Sequence, residues 1–218
     1  MVRQRISNFV SQGFQAVVDL IPWFSDAEQG RIKHAFSDIG SEAQQVTCLM
    51  IYQALVRLMR RRRNAFGMLV VCNWHREWIQ EYASFPDESQ NLFKEREYVI
   101  ADHTVDELVD VLAKTADFDG AILVSRRGTI VASGVYLENM KAKEVARQMG
   151  VRGTADLSEA FGFMRKVHMR HLAGVACSYL LPDTVVFVVS EERKDLRILK
   201  TGTIIYSTYA QEIPKQTS

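Results

Sequence analysis

The sequence predicts an α/β fold of the α+β type, in which helices flank a mixed, largely antiparallel, twisted sheet. The predicted elements are helix, strand and helix, followed by several strands that short turns connect, with one helical insertion. Strands joined by short turns pair antiparallel, and the helices must cover the faces of the sheet. A helical hairpin at the N-terminus is added to this arrangement as an appendage.

Composition excludes several classes of protein. Of the 218 residues, 47% are hydrophobic and 24% are charged, with a formal net charge of +1. Such a chain forms one domain of somewhat more than average size, or one domain with an appendage. The small net charge gives no general attraction to nucleic acid or to an anionic membrane. No stretch resembles a signal peptide or reaches the length of a membrane span, which predicts a cytoplasmic protein.

The three cysteines, Cys48, Cys72 and Cys177, are widely spaced within apolar segments. They lack the C-x-x-C spacing and the neighbouring histidines of a zinc site, and they suggest no disulfide framework. We expect them to be buried, reduced thiols.

Residues 1–40 predict the helical hairpin. Apolar residues within 6–21 recur at spacings of three and four, and Pro22 ends this helix. Residues 25–28 have the form of a capping box that begins a second helix, and Gly40 ends it. We expect the hairpin to pack on the main domain or on a second copy, with a regulatory or oligomerising role.

Residues 41–208 predict the main domain, and residues 209–218 a loose tail. A capping box at 41–44 opens a long apolar helix that ends in four arginines, at 60–63. These arginines complement the carbonyl end of the helix dipole, and contact with phosphate or RNA is the alternative.

The remaining elements follow in order along the main domain. The aromatic residues between 73 and 94 either cover a core edge or stack on a base, and Thr104 begins a further helix. Strands are predicted at 66–72, 121–124, 129–133, 175–179, 184–189, 196–199 and 203–206, with one or two helices within 138–165.

Polar residues collect where three of the apolar segments begin or end. The end of a strand can hold side chains rigidly toward a shared cleft. Carboxylates beside a cation and an imidazole lack an evident nucleophile for hydrolysis, but they suit a metal-bound polyphosphate. Solvated turns and a core histidine are the alternatives, and neither a Walker loop nor a G-x-G-x-x-G motif is present. The clusters are Asp117 and Asp119, Arg170 and His171, and Ser190, Glu191 and Glu192.

Four stretches between about residues 44 and 206 resemble the diadenylate cyclase domain family. They are residues 63–71, Asp119-Gly120-Ala121 with the strand that follows, Arg170-His171, and residues 188–192. The resemblance implies an enzyme that condenses two ATP molecules into cyclic di-AMP with release of two pyrophosphates. It also implies a divalent metal, Mn²⁺ or Mg²⁺, and a face-to-face homodimer or higher oligomer.

The resemblance further implies roles for individual residues. Asp119 would bind the metal and help to activate the attacking 3′-hydroxyl, and Gly120 would give close access to the backbone. The catalytic set comprises Asp119, Gly120, Arg170 and His171, of which the last two hold the triphosphate. The expected nucleotide contacts are Ala121, Tyr136, Leu137, Arg170, His171, Ser190 and Glu191, and the expected metal ligands are Asp119 and Glu191.

The chain departs from the family pattern in two places. Family members commonly read Gly-Thr-Arg-His-Arg where this chain has His168-Met169-Arg170-His171-Leu172, so the threonine and the second arginine are missing. The insertion at 138–165 either covers the site or supplies a replacement contact from residues 152–154. A non-catalytic adenine-nucleotide-binding sensor or scaffold with a degenerate site is therefore the alternative.

Overall fold

The computed structural model describes residues 25–151, 156–209 and 212. The first helix of the predicted hairpin, at 6–21, and residues 152–154 of the insertion lie outside the described residues. The described part confirms the predicted fold class, because it forms a mixed, mostly antiparallel open sheet with helices packed against it. No helix within this part is long and apolar enough to cross a membrane.

The described residues form seven α-helices and eight strands, with three single-turn 3₁₀ segments between them. The helices are α1 (Asp26–Phe36), α2 (Glu42–Arg61), α3 (Ile79–Tyr82), α4 (Val105–Thr115), α5 (Ala142–Gln148), α6 (Leu157–Ala160) and α7 (Met169–Leu180). The strands are β1 (Met68–Trp74), β2 (Ala83–Ser84), β3 (Tyr98–Val99), β4 (Ala121–Ser125), β5 (Thr129–Leu137), β6 (Val185–Val189), β7 (Leu196–Lys200) and β8 (Thr203–Ser207).

The strands lie in the order β2-β5-β4-β1-β6-β7-β8, and β3 pairs with β5. Among the described strands, β1 and β4 form the single parallel pair, with Leu69 opposite Ala121. On its other side, β1 pairs antiparallel with β6, with Met68 opposite Val189. β5 runs antiparallel to β4, with Val135 opposite Ala121. The starts of β1 and β4 and the ends of β5 and β6 therefore meet at one end of the sheet.

The central strand β1 is buried along its whole length, and its side chains alternate between two hydrophobic layers. Met68 and Val70 face the layer that contains α1, α2 and α4. Leu69 and Val71 face the layer that contains α5 and α7. Successive side chains of a strand point to opposite faces, so β1 contributes to both layers at once.

Both capping boxes predicted for the main domain are confirmed. Ser41 caps α2 and Thr104 caps α4, and in each case the third helical residue, Gln44 or Glu107, returns the bond to the backbone of the cap. At the start of α1, the Ser25 hydroxyl accepts a hydrogen bond from the Glu28 N–H at 3.3 Å. Local sequence therefore determines where all three helices begin.

Two arginines at the basic end of α2 lie against α4 and the turn after it. Arg61 Nη1 lies 2.8 Å from Asp110 Oδ1. Arg62 pairs with Asp117. These neighbouring carboxylates favour the interpretation in which the arginines complete the helix end, rather than the alternative of a contact with phosphate or RNA.

The predicted hairpins and the helical insertion are also confirmed. β4 and β5 pair antiparallel, and so do β7 and β8. The turn between β7 and β8 contains Thr201 and Gly202 at φ values of 49° and 77°, as a two-residue hairpin turn requires. β8 lies at the edge of the sheet, and α5 and α6 occupy the predicted insertion.

The strand predicted at 175–179 is wrong, because this segment belongs to helix α7. A short apolar run does not distinguish a buried helix from a buried strand by its period alone. Gly174 shows why the run is so apolar. A Cβ atom on Gly174 would lie 3.0 Å from both Leu199 and Val188 side chains, so α7 packs very closely on β6 and β7. The same prediction placed Arg170 and His171 at the end of a strand. The two residues instead lie in the first turn of α7.

Cys48, Cys72 and Cys177 are buried and free, which confirms the prediction of reduced thiols. Burial raises the pKa of both the Cys72 and the Cys177 thiol. At neutral pH these two side chains are therefore uncharged members of the core.

Helix α1 packs on the main sheet through its apolar face and a polar contact. Ile32 and Phe36 are fully buried in the layer shared with α2. Glu28 Oε1 accepts hydrogen bonds from the hydroxyls of Tyr52 and Tyr206, both at 3.2 Å. These contacts join α1 to α2 and β8, while the boundary drawn at residue 40 stays a prediction.

Truncation of Phe36 tests whether α1 unfolds together with the main domain. Phe36→Ala removes a fully buried ring, and we expect a loss of about 3–5 kcal/mol in the free energy of unfolding. Urea unfolding measures this loss. Leu92→Ala is the control because Leu92 is 44% exposed. A loss below about 1 kcal/mol for Phe36→Ala would mean that α1 does not belong to the cooperative core.

Candidate functional site

A cleft of about 490 Å³ opens where β1 and β4 begin and β5 ends. Its volume falls within the range of about 300–1,000 Å³ that is usual for small-molecule sites. The residue pair Asp119-Gly120 leads into β4, and the first turn of α7 forms the opposite wall. The cleft is therefore built from the ends of strands and the start of a helix, from which side chains can converge on a ligand.

Asp119 and Arg170 form the charged part of the cleft. Asp119 Oδ2 accepts a hydrogen bond from the Tyr136 hydroxyl at 2.9 Å, and Oδ1 accepts one from the Gly120 N–H at 3.0 Å. Arg170 Nη2 lies 4.0 Å from Asp119 Oδ1, and Arg170 Nη1 lies 3.9 Å from Glu191 Oε2. The guanidinium therefore contacts one carboxylate with each terminal nitrogen.

The hydrogen bond to Asp119 raises the pKa of the Tyr136 phenol, and the negative charge of Asp119 adds to this effect. A carboxylate that accepts from a phenol stabilises the protonated phenol. Tyr136 is therefore a neutral donor at neutral pH, and it holds the Asp119 carboxylate in one orientation.

Two glycines create the space that this arrangement needs. A Cβ atom on Gly67, just before β1, would lie 1.9 Å from Arg170 Nη1. The Arg170 guanidinium therefore rests directly on the backbone of Gly67. A Cβ atom on Gly120 would lie 2.7 Å from the carbonyl oxygen of Val135, and its φ of 96° also suits glycine. The sequence predicted backbone access for a ligand at Gly120, whereas the structure shows that β5 fills much of this space.

The rest of the cleft is largely apolar. Five lining residues were not among the predicted site residues. Three of them lie on β1, β5 and α7, and the pairing and packing of these elements show which of their residues face the cleft. Met169 is 78% exposed at the rim. An apolar wall beside a charged end suits a ligand with a flat, weakly polar part and an anionic part. The unpredicted lining residues are Leu69, Val135, His168, Met169 and Ala173.

Six of the nine predicted site residues line this cleft, although three separate segments of the chain supply them. They are Asp119, Gly120, Ala121, Tyr136, Leu137 and Arg170. The three others, His171, Ser190 and Glu191, do not line it. The chemical roles expected for all nine stay predictions.

The structure corrects the location of His171, which was expected to hold a triphosphate. His171 is 5% exposed and belongs to the buried residues of α7. Its Nε2 atom lies 3.1 Å from Arg197 Nη1. A guanidinium can only donate, so Nε2 accepts. Because successive residues of a helix point in different directions, Arg170 lines the cleft while the neighbouring His171 points elsewhere.

Burial lowers the pKa of His171 to about 3, and the charges of Arg197 and Arg170 act in the same direction. The imidazole is therefore neutral throughout the physiological range of pH. The alternative in which His171 is a satisfied core histidine is thus favoured by its geometry and by its electrostatics.

Ser190 and Glu191 form part of a turn after β6. The Ser190 N–H donates to the Asp195 carbonyl oxygen at 2.8 Å, and the Ser190 carbonyl oxygen accepts from the Lys194 N–H at 3.0 Å. Glu191 reaches Arg170 without lining the cleft. His168 pairs with Glu192 at 2.8 Å, so this turn meets the start of α7 at two points.

A divalent metal at this site would need a phosphate-bearing ligand to share it. Within the described ranges, no three or more His, Cys, Asp or Glu side chains come together in a way that would hold a metal. Asp119 offers a carboxylate that is 71% exposed, and Arg170 separates it from Glu191. Mg²⁺ is usually bound by one or two carboxylates together with substrate phosphates. Among the described residues that line the cleft, Asp119 supplies the carboxylate, so a divalent ion there would need phosphate oxygens of a ligand to complete its shell.

Acidification from pH 7 to pH 5 is expected to destabilise the protein through His171. Its pKa is about 3 in the folded state and 6.5 in the unfolded state, so the unfolded chain binds more protons between these values. The stability that neutral His171 contributes is fully present above pH 6.5 and is lost as the pH falls toward 3. At about 1.4 kcal/mol per pH unit, the loss at pH 5 is about 2 kcal/mol.

Urea unfolding at both pH values measures this loss. In His171→Gln, an amide oxygen accepts from Arg197 without titrating, and we expect the loss to be about 2 kcal/mol smaller than in the wild-type protein. His34→Gln changes an exposed histidine of α1 and is the matched control. The same pH dependence in wild type and His171→Gln would contradict the assignment.

No family model and no curated protein matches the chain. Solved structures are similar to it, and two of them are as follows. One is a double mutant of DacA from Staphylococcus aureus, at 18% identity and a TM-score of 0.45, over 75% of this chain and 87% of that one. The other is a hypothetical membrane spanning protein from Bacillus cereus, at 17% identity and a TM-score of 0.46, over 94% of this chain and 91% of that one.

Proposed function

We propose that the protein binds ATP in this cleft and is a diadenylate cyclase, which condenses two ATP molecules into cyclic di-AMP and two pyrophosphates. One observation carries the proposal. Six of the site residues that the family resemblance implies line a single cleft, although they come from segments that are distant in sequence. Residues brought together only by folding, in a pocket of suitable size, are the expected sign of a ligand site.

The two parts of the cleft match the two parts of ATP. Adenine is flat and apolar on its faces, and Leu69, Val135 and Leu137 offer it an apolar wall. The Tyr136 ring lies beside this wall and is 42% exposed. Arg170 would bind phosphate oxygens with two donors, which is the geometry that a guanidinium favours.

The reaction needs two nucleotides in opposite orientations. The 3′-oxygen of each ATP forms a bond to the α-phosphorus of the other, the bond between the α- and β-phosphates breaks, and pyrophosphate leaves. Such phosphoryl chemistry depends chiefly on positioning and on charge neutralisation. Each ATP supplies both an attacking hydroxyl and an attacked phosphate, so two clefts must face each other. We therefore propose a face-to-face homodimer or higher oligomer as the active form.

The charged side chains would act on this reaction in distinct ways. Asp119 would hold the metal ion with the phosphates and help to remove the proton of the attacking hydroxyl. Tyr136 would keep the Asp119 carboxylate oriented through their hydrogen bond of 2.9 Å. Arg170 would neutralise phosphate charge, and Glu191 would orient Arg170 from its other side. A bound divalent ion would polarise the attacked phosphate.

The proposed catalytic domain spans residues 41–208, and residues 1–40 are proposed as a regulatory or oligomerising appendage. Helix α1 packs on the main domain through Ile32 and Phe36. A partner of the N-terminal residues would therefore act on the catalytic domain through this contact. ATP and a second copy of the chain are the proposed partners, with no role for nucleic acid or membrane.

A non-catalytic adenine-nucleotide-binding domain is the second candidate. The observation that favours it is the altered second motif: His171 is buried against Arg197, and Leu172 stands where the family has an arginine. Of the two residues that this motif shares with the family pattern, Arg170 lines the cleft and His171 does not. Such a domain would retain nucleotide binding and lack turnover.

Incubation of the purified protein with ATP and Mn²⁺ or Mg²⁺, followed by chromatography, tests the proposed activity. We expect one cyclic di-AMP and two pyrophosphates for every two ATP molecules consumed. Asp119→Asn should lower the rate by about 100-fold or more, because it removes the metal-binding charge and the base. Asp117→Asn is the matched control and should keep the wild-type rate, because Asp117 pairs with Arg62 and does not line the cleft.

Binding of α,β-methylene-ATP separates the remaining outcomes. Binding without product, across both metals and a range of protein concentrations, would support the non-catalytic domain. Neither binding nor product would contradict both candidates. Full activity in Asp119→Asn would remove Asp119 from its proposed role.

Gly67→Ala should weaken nucleotide binding without contacting the nucleotide. The added Cβ would lie 1.9 Å from Arg170 Nη1, so the guanidinium must leave its present position. We expect a loss of about 10-fold in affinity for α,β-methylene-ATP, in line with one charge-assisted hydrogen bond. Isothermal titration calorimetry measures this change.

The same substitution at Gly30 is the matched control, because a Cβ there would meet nothing within 4 Å. In an Arg170→Ala background, Gly67→Ala should cause no further loss, since the displaced group is already absent. Wild-type affinity in Gly67→Ala would show that the position of Arg170 does not matter for binding.

A further inference from the structure

A buried network of charges contacts the start of α7 from the side of β7 and β8. Arg197 on β7 makes two bonds to the carboxylate of Glu212, at 2.7 Å and 2.8 Å. Glu212 also accepts from the Ser207 hydroxyl at 2.7 Å. The side chains of Arg197 and Glu212 are 3% and 0% exposed. Glu212 comes after the last strand, within the predicted tail, so a residue remote in sequence is fixed inside the fold.

This network reaches α7 and the segment that leads into it. Arg197 Nη1 contacts His171 Nε2 at 3.1 Å. The Arg197 guanidinium also lies over the Phe163 ring, 5.6 Å from its centroid. Residues on both sides of the junction at the start of α7 are therefore attached to the same ion pair.

The junction lacks the usual local support. His168, the N-cap of α7, makes no side-chain capping hydrogen bond, whereas α1, α2 and α4 each have one. The Val167 N–H donates to Ser158 Oγ at 3.0 Å. The other contacts of this junction are those of His168 with Glu192 and of Arg170 with Asp119 and Glu191 on the side of the cleft, and those of Phe163 and His171 with Arg197 on the buried side. A helix start without its own cap depends on such external contacts for its position.

We infer that Glu212 is a positioning residue for Arg170: by holding Arg197 against Phe163 and His171 it fixes the first turn of α7, and with it the guanidinium in the cleft. This inference rests on the proposed function, in which Arg170 binds phosphate. A buried ion pair contributes little net stability compared with apolar packing, but removal of one partner leaves the other charge buried and unpaired. Loss of the Glu212 charge would therefore force Arg197 and the attached segment to rearrange.

Hydrogen–deuterium exchange of residues 162–172 tests the positioning step without any nucleotide. In Glu212→Gln we expect amide exchange in this segment to be at least about 10-fold faster than in the wild-type protein. Asp195→Asn is the matched control, because Asp195 lies 3.8 Å from the same guanidinium but is 18% exposed. This control should exchange at the wild-type rate.

Titration with α,β-methylene-ATP tests the link to Arg170. Glu212→Gln should lower the affinity by about 10-fold, as a displaced Arg170 would. In an Arg170→Ala background, the same substitution should cause no further loss. A merely structural role would give independent, additive losses in the two backgrounds, and that result would overturn the inference.

Two further outcomes keep the inference distinct from the proposed function. If the wild-type protein binds no nucleotide, the proposed function fails, while the exchange comparison still decides whether Glu212 orders the start of α7. Unchanged exchange at 162–172 in Glu212→Gln would overturn the inference with the proposed function intact. Should Glu212→Gln fail to fold, Ser207→Ala removes one bond to Glu212 and should give a smaller increase in exchange; no increase would overturn the inference.

Discussion

The burial of β1 on both faces is the constraint on which the rest of the structure depends. Its side chains enter two hydrophobic layers in alternation, so a shift of the strand by one residue would exchange the two layers. The same strand pairs with β4 on one side and β6 on the other. Asp119 lies just before β4 and Glu191 just after β6. The position of β1 between these strands therefore brings the two carboxylates to the same end of the sheet. Gly67, just before β1, receives the guanidinium of Arg170.

Local signals made much of the fold predictable. The capping residues Ser41 and Thr104, and the left-handed pair Thr201 and Gly202, determine helix starts and a turn through contacts within a few residues. Helix α7 could not be predicted in this way. Its apolar run arises because Gly174 allows the helix to lie close on β6 and β7, and a tertiary contact of this kind has no signature in the period of the sequence.

The candidate site was predictable to a different extent. Asp119 and Tyr136 were found through motif resemblance and strand order, and they do meet in the cleft. The location of His171 was not predictable. The sequence indicates a strand at 175–179, whereas the segment belongs to helix α7, in which Arg170 faces the cleft and His171 faces the core. The contribution of Glu212 was not predictable, since the last residues carry no pattern that indicates burial. Only the partner, Arg197, reveals why a carboxylate lies inside the core.

The position of Arg170 between two carboxylates has a consequence for how the cleft selects an anion. With Asp119 and Glu191 at 4.0 Å and 3.9 Å, two carboxylates already face the positive charge of Arg170. In the proposed function, an incoming phosphate would take the place of these carboxylates as the partner of the guanidinium. Binding would then be an exchange of partners, and it would favour a ligand that brings its own cation to occupy the released Asp119. Free phosphate or a small dicarboxylate, lacking that cation, would gain little from the same exchange.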